Sequence, residues 1–491
     1  MSSSPKNDSF ASPARSRDIS NIIAPSIPRS LHTFGQRLSI PRLPSLIDDL
    51  DLEPANTVET ELPPVAEYDS VPASTSLPEG TTPRGSVANL ANNMIGSGVL
   101  AMSFVFSTTG IGLGVLIMAI VCWLSNFSLK LMILNGKLAR RYTYRQVVAR
   151  SLGTTLSKIV DVCIPLYGFG LLCAYMRILG DYTYSLFNII VVKLGFELNI
   201  DSFFSSRVFV LLVFVVLFVF PLCCLRTMES LSFSSLLALI GILVTVIGIC
   251  TLFIRTLFQN GILHQFSQVK LFNFTPDVFR VIPIVSLAFS CHANILRMYQ
   301  ELHQRSVKRM FNVISGALLI NFAFYFLCGT FGYVVFLSNT QSNLLLGYEN
   351  GSFLMIISQV AMTIVISFSY PIVQFPVKKS ITLFFNPKMA PKLHYPLTVI
   401  VFIASFAVSL VVEDLSIILG FTGSTVAVGI CYILPPIMFL RLRKEDYGSI
   451  ENNEDNNQAN FGTIGCYVCL VLGISISVIG FARNLSALLS N

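Results

Sequence analysis

Eleven apolar segments, each about the ~20 residues that cross a lipid bilayer, follow one another from residue 86 to the end of the chain. They cover roughly residues 86–107, 111–134, 159–190, 207–225, 232–255, 278–298, 309–336, 352–375, 394–412, 414–440 and 462–484. Only 12% of the residues are charged, whereas a soluble domain has about 25%. The chain is therefore predicted to be an all-α polytopic membrane protein with about eleven transmembrane helices.

Basic residues stand in every second loop between these segments. Lys137, Arg140 and Arg141 lie between segments 2 and 3, and Lys378 and Lys379 are assigned to the loop after segment 8. Cytosolic loops collect Lys and Arg, so the N-terminus is predicted to be cytosolic and the C-terminus to lie on the far side. The net charge of +7 follows from these loops and indicates no nucleic-acid partner.

The first segment lies in the stretch Ser86–Thr108 and is interrupted at mid-depth by Gly96, Ser97 and Gly98. Glycine in a helix costs about 1 kcal/mol relative to alanine, so the helix is predicted to unwind here. Lipid cannot satisfy bare backbone groups, so unwound backbone is tolerated only beside protein or a wet cavity. A transporter substrate site and a kinked packing helix both fit this stretch alone.

The sixth segment is also interrupted, by Pro283 and by the polar run Ser290, Cys291 and His292. It starts five segments after the first, so the two would enter the membrane from opposite sides. Interruptions at matching positions of two five-helix halves favour an inverted-repeat transporter. The predicted parts begin with a disordered cytosolic tail (residues 1–84), a first five-helix repeat (85–256) and a second, inverted five-helix repeat (277–443). A cytosolic loop (444–461) and an eleventh helix with the far-side C-terminus (462–491) follow.

Breaking the first helix predicts a site for a zwitterion. Free N–H groups at Gly98 and Val99 would suit a carboxylate, and free carbonyls from Asn92 to Ile95 would suit a cation or an ammonium group. Amino acids carry both charges. The predicted substrate-binding residues are Gly96, Ser97, Gly98, Val99, Ser290, Cys291 and His292.

Several motifs resemble the amino acid/auxin permease family, and most closely its sodium-coupled neutral amino acid transporter branch and related vacuolar amino acid transporters. They are SVANLANNMIGSGVLA, CHANILRMYQEL, KRMFNVISGALLINF and YPIVQFPVKKSI. The resemblance implies a LeuT-type fold of two inverted five-helix repeats plus one extra helix. It also implies transport of small amino acids with Na⁺ or H⁺.

The resemblance implies a cation site as well. Asn92 matches an asparagine tied to sodium in that branch, and Ser367 and Ser369 fall where the branch has hydroxyl residues. With the carbonyl near Ile95 they would form an all-oxygen cage for a hard cation. Na⁺ is thus a candidate coupling ion, with no other metal and no cofactor expected. Cell-surface relatives carry loop cysteines that this chain lacks, which slightly favours a vacuolar or lysosomal membrane over the plasma membrane.

Two further residues inside segments have alternative interpretations. Arg177 is one helical turn from Asp181, so it either pairs with that carboxylate or lies near the ion site. His292 either carries protons or is a hydrogen-bonding structural residue.

The function predicted from the sequence is secondary active transport of neutral amino acids by alternating access. The alternative is an amino-acid-sensing receptor that signals to a cytosolic partner through residues 1–84. The expected partners are a small-molecule amino acid and the bilayer. Enzyme activity is not expected, because the chain has no nucleophile motif with its base and no phosphate-binding loop.

Overall fold

Apart from one isolated parallel β-bridge between Thr81 and Leu302, the regular secondary structure of the described residues is helical. The computed structural model describes residues 81–96, 98–194, 206–225, 234–347, 353–385, 390–447 and 456–490. The helices are α1 (Pro83–Met94), α2 (Gly98–Thr109), α3 (Ile111–Ala139), α4 (Tyr144–Leu152), α5 (Thr154–Lys193), α6 (Arg207–Cys223), α7 (Ser234–Asn260), α8 (Ile262–Ser267), α9 (Val278–Ala288), α10 (His292–Glu301), α11 (Val307–Phe336), α12 (Phe353–Phe385), α13 (Ala390–Val411), α14 (Leu415–Lys444) and α15 (Asn456–Ser490).

These helices confirm the predicted polytopic fold. Within the described ranges, nine helical stretches are long and apolar enough to cross a membrane, and α1 with α2 forms one further, bent span. Helix α6 is apolar but shorter, and it occupies the position of the predicted fourth segment. Residues 1–80 of the predicted tail, and residues 448–455 of the predicted 444–461 loop, lie outside the described residues.

Side-chain caps determine where several helices begin. The hydroxyl of Thr82 accepts the N–H of Gly85 at the start of α1, and Pro83 follows it at the first helical position. Ser306 caps α11 in the same way, and the carboxylate of Asp414 caps α14. Such caps satisfy one of the four N–H groups that every helix leaves without an internal partner.

The predicted end of segment 8 is wrong, because α12 continues ten residues further than expected, from 375 to Phe385. Lys378, assigned to a cytosolic loop from the sequence, is a buried residue of this helix. Its ammonium group donates to the carbonyl of Cys223 at 3.0 Å and to the hydroxyl of Thr398 at 2.8 Å. These acceptors replace water around the charge, so Lys378 can be buried within the helix.

Helix α14 contains two π-helical turns and the pair Pro435–Pro436. Proline has no N–H, so the carbonyls four residues earlier, on Cys431 and Tyr432, lose their helical partners. The hydroxyl of Ser128 on α3 donates to the Cys431 carbonyl, and the thiol of Cys469 on α15 donates to that of Tyr432 at 3.4 Å. Neighbouring helices therefore satisfy the backbone that the irregular turns leave free, as a membrane interior requires.

Candidate functional site

A cavity lies where the two broken spans meet. It is small, with a volume of about 40 Å³, and it is partly open to solvent. Its lining comes from the two broken spans, from α5 and from α14: Asn93, Met94, Gly96, Gly98, Tyr167, Leu171, Tyr175, Ile284, Leu287, Ala288, Ser290 and Leu419.

The first break bends the chain by 62° between α1 and α2. Helix α1 ends at Met94, Ile95 caps it, and α2 starts at Gly98, where the sequence places the start of the second half-helix. The two half-helices thus meet at this break. Helix α1 presents its carbonyl end, the negative end of its dipole, and α2 presents its N–H end, the positive end of its dipole.

The second break covers residues 289–291, between α9 and α10. The hydroxyl of Ser290 donates its single proton to the carbonyl of Leu287 at 2.6 Å. It therefore accepts the proton of the Tyr167 hydroxyl, which lies 2.8 Å away. The Tyr167 oxygen keeps its lone pairs as acceptors in the cavity wall.

Small residues allow the two breaks to meet. A β-carbon on Gly98 would stand 2.7 Å from the β-carbon of Ala288, closer than real β-carbons approach. A β-carbon on Gly96 would meet only the hydroxyl of Tyr175, at 3.3 Å. Contact between the two broken spans therefore requires glycine at position 98 more strictly than at position 96.

One side chain contacts both breaks. The hydroxyl of Tyr325, on α11, lies 2.9 Å from the carbonyl oxygen of Met94 and 2.9 Å from that of Ala288. Tyr325, Tyr167 and Tyr175 are not among the site residues predicted from the sequence. A tyrosine within an apolar segment is the sequence feature that indicates such residues, because a buried phenol usually has a hydrogen-bond partner.

The predicted substrate-binding residues take different positions. Gly96, Gly98 and Ser290 line the cavity, while Val99 and Cys291 are buried next to these residues in the chain. Ser97 lies outside the described residues.

His292 is buried beside the cavity rather than among its lining residues. Its ring stands edge-on to Tyr432, with 6.0 Å between ring centroids, and its two nitrogens contact no hydrogen-bond partner within the described residues. It also opens α10, where the positive end of the helix dipole disfavours a cation. These surroundings favour a neutral, structural histidine over a proton carrier.

The predicted cation ligands lie on two helices that both pack against α7. Asn92 is partly buried in α1, and Ile95 is fully buried at its end. On α12, the buried Ser367 donates its hydroxyl proton to the carbonyl of Thr363 at 2.7 Å, and Ser369 is partly buried. The lone pairs of Ser367 stay available to a cation, and the joint cation site stays a prediction.

The predicted pair of Arg177 and Asp181 is confirmed, with 3.4 Å between Nε and Oδ1. Two further groups complete the cluster: Arg207 donates to the same carboxylate at 2.8 Å, and the Asn343 amide donates to it at 3.2 Å. One buried carboxylate thus pairs with two arginines, and neither arginine is among the residues that line the cavity.

Comparison with known proteins agrees with this architecture. Residues 79–480 match the family described as transmembrane amino acid transporter protein, which confirms the resemblance seen in the motifs. The chain is 27% identical over 458 residues to amino acid transporter AVT6E of Arabidopsis thaliana, covering 90% of this chain and 88% of that protein. It is 26% identical over 416 residues to sodium-coupled neutral amino acid symporter 2 of Danio rerio, covering 80% and 79%.

Among solved structures, a crystal structure of MhsT in complex with L-phenylalanine is similar, with a TM-score of 0.47 and 14% identity. The match covers 82% of this chain and 98% of that one. Because the family match spans most of the sequence, from residue 79 to residue 480, the chain belongs to the transmembrane amino acid transporter protein family.

Proposed function

We propose that this chain is a secondary active transporter of neutral amino acids that works by alternating access. The observation that carries the proposal is the cavity between the two breaks. The N–H groups of α2, starting at Gly98, would hold the substrate carboxylate. The carbonyls of Met94 and Ala288, at the negative ends of two half-helices, would hold its ammonium group.

The cavity lining supports a neutral side chain on the substrate. Within the described part of the chain, none of the twelve lining residues carries a charge. Leu171, Ile284 and Leu419 supply apolar surface next to the polar breaks. An acidic or basic side chain would lose its hydration without gaining a partner of opposite charge. The relative from Danio rerio, named as a neutral amino acid symporter, agrees with this specificity.

The coupling ion is Na⁺ or H⁺ in this proposal. The name of the same relative includes sodium coupling, and Asn92, Ile95, Ser367 and Ser369 offer oxygen ligands for Na⁺. Proton coupling would need a titrating group elsewhere, since the surroundings of His292 favour its neutral form.

Uptake assays with purified protein in liposomes test both the substrate specificity and the ion coupling. Uptake of labelled L-alanine, L-glutamine, L-leucine, L-glutamate and L-lysine is measured with a Na⁺ gradient alone, a pH gradient alone, and neither. We expect concentrative uptake of the neutral amino acids under one gradient, and little uptake of glutamate or lysine. Equal uptake with and without gradients would contradict coupled transport, and preferred uptake of glutamate or lysine would contradict neutral specificity.

A sensing receptor is the second candidate, and one observation favours it. Thr81, the first described residue of the predicted tail, donates its N–H to the carbonyl of Glu301 and accepts the N–H of His303. This connects the tail to the end of the broken sixth span. Deleting residues 1–78 distinguishes the candidates, because a transporter would keep its uptake whereas a sensor would lose amino-acid-dependent binding of its cytosolic partner.

We propose a vacuolar or lysosomal membrane as the location. Its support is the absence of cysteines from the predicted far-side loops of the sequence. Fractionation of cells that express the tagged chain tests this: co-sedimentation with plasma-membrane markers would contradict it.

A further inference from the structure

We propose that Tyr325 is the positioning residue of the transport site: its hydroxyl holds the carbonyls of Met94 and Ala288 together as one acceptor pair for the substrate's ammonium group. This inference rests on the proposed function. It assigns a specific task to a residue on α11, a helix that is itself unbroken.

The two carbonyls are equivalent in origin. Met94 is the last residue of α1, and Ala288 is the last residue of α9. In an unbroken helix each carbonyl would accept the N–H four residues later, on Gly98 and His292 respectively. Those residues instead begin the next half-helices, so the Tyr325 hydroxyl replaces a backbone donor at both breaks.

The single hydroxyl proton of Tyr325 leaves one of the two carbonyls available to a ligand. A phenol has one O–H proton, so at any moment it donates to only one of the two carbonyls. The other carbonyl is then an acceptor at the negative end of a helix dipole, next to the cavity that both residues line. An ammonium group supplies three N–H donors and a positive charge, which matches this pair.

Packing fixes the hydroxyl in place. Tyr325 is fully buried, and its ring stands edge-on to Phe289 in the second break, with 5.1 Å between centroids. The close approach of Gly98 to Ala288 brings both carbonyls within reach of the same oxygen. A movement of either broken span therefore changes the distance between its carbonyl and Tyr325.

The test compares Tyr325→Phe with Tyr333→Phe. Tyr333 lies two turns further along the same helix, is equally buried, and accepts the backbone N–H of Lys270 at 3.1 Å. Both changes remove one buried phenol oxygen, but only the first removes it from the breaks. The probes are the best-transported neutral amino acid from the liposome assay, its N-methyl derivative and its methyl ester.

For Tyr325→Phe we expect KM to rise about tenfold, because the two carbonyls are no longer held as one acceptor pair for the substrate, with Vmax little changed. N-methylation of the substrate should weaken transport by wild type and weaken transport by this variant far less, while the effect of the methyl ester should stay as in wild type. Tyr333→Phe should behave as wild type in all three respects. The proposal would be overturned if KM of Tyr325→Phe were unchanged, or if this variant tolerated the N-methyl derivative and the methyl ester equally well. The same result for Tyr333→Phe would also overturn it.

Folding is checked by size-exclusion chromatography of each purified variant. If Tyr325→Phe is not recovered as folded protein, Tyr325 is replaced by 4-fluorophenylalanine, whose fluorine fills the volume of the hydroxyl and donates no hydrogen bond. The same selective loss is then expected, and failure of this variant to fold would overturn the proposal in favour of a purely structural role. A wild-type chain that transports none of the amino acids contradicts the proposed function itself.

Discussion

Gly98 lies against Ala288 so closely that a β-carbon on the glycine would stand 2.7 Å from the β-carbon of the alanine. These residues belong to different broken spans, so this contact sets the distance between the two halves of the candidate site. The neighbouring Gly96 has only the Tyr175 hydroxyl near it, at 3.3 Å.

The two glycines should therefore respond differently to the smallest substitution. We predict that Gly98→Ala reduces uptake at least about tenfold, because overpacking of about 1–3 kcal/mol is relieved by moving α2 away from α9. Gly96→Ala should retain most of the activity, since the terminal hydroxyl of Tyr175 can shift. Uptake per unit of protein in liposomes measures both.

Gly96→Leu and Gly98→Leu should both abolish transport without loss of membrane insertion. Near-normal uptake by both leucine variants would contradict a substrate site at the break. A Gly96→Ala variant as impaired as Gly98→Ala would show that the backbone freedom of glycine, rather than its contact with α9, is what matters.

The breaks were predictable from the sequence because they have local causes. Gly96 and Gly98 weaken the first helix by their backbone entropy, and Ser290 places a hydroxyl at membrane depth. The structure breaks the spans at these points, although His292 belongs to the resumed helix rather than to the unwound residues.

The groups that bind the breaks were not predictable in the same way. Tyr167 and Tyr325 occur in apolar segments, where a buried tyrosine has the same sequence pattern as any packing residue. Only the tertiary arrangement shows that their hydroxyls reach Ser290, Met94 and Ala288. The same holds for Ser128, whose partner lies 303 residues away in the chain. Long-range pairing of polar groups leaves no periodic signal in one sequence.

Substitution of Asn92 is the most direct test of the predicted cation site. If its amide oxygen is a cation ligand, Asn92→Ala should raise the Na⁺ concentration for half-maximal uptake, or abolish uptake. Ser367→Ala should shift the same quantity, because its lone pairs remain available beside its bond to Thr363. An unchanged cation dependence of Asn92→Ala would exclude it from the ion site.

Asp181 is predicted to be the most sensitive carboxylate of the described chain. It is 6% exposed and pairs with Arg177 and Arg207, so Asp181→Asn removes the ion-pair partner of the Arg177 guanidinium group, which is 13% exposed. Removing one partner of a buried ion pair costs about 3–5 kcal/mol, so this variant should lose much of its folded yield.

Asp161→Asn is the matched control for Asp181→Asn, since it is the same change on the same helix. Asp161 pairs at 3.0 Å with Arg145, which is 42% exposed, and exposed pairs contribute about 1 kcal/mol or less. Thermal unfolding midpoints in detergent measure both variants. Equal midpoints would show that the buried cluster is not a stabilising element.

Asp414 gives a pH-dependent prediction. Burial alone would raise its pKa, but hydrogen bonds from Ser342 and Ser416 and the charge of Arg280 outweigh burial and hold the pKa below its usual value of 3.8. A carboxyl whose pKa is lowered by folding stabilises the folded state above its unfolded pKa, and this contribution disappears as the pH falls through the folded pKa. The pair with Arg280 should therefore persist at pH 5, the acidity of a vacuole or lysosome.

Asp414→Asn should destabilise the protein by about 2 kcal/mol at pH 7, the contribution of a charge-assisted hydrogen bond. The difference from wild type should be the same at pH 5 and should shrink only below about pH 4, where the carboxyl of the unfolded chain takes up its proton before that of the folded protein does. Asp277→Asn is the control, because its pair with Arg483 is exposed and should matter little at any pH. Thermal unfolding at pH 7, 5 and 3.5 measures all three proteins, and a difference that already shrinks between pH 7 and pH 5 would contradict a lowered pKa at Asp414.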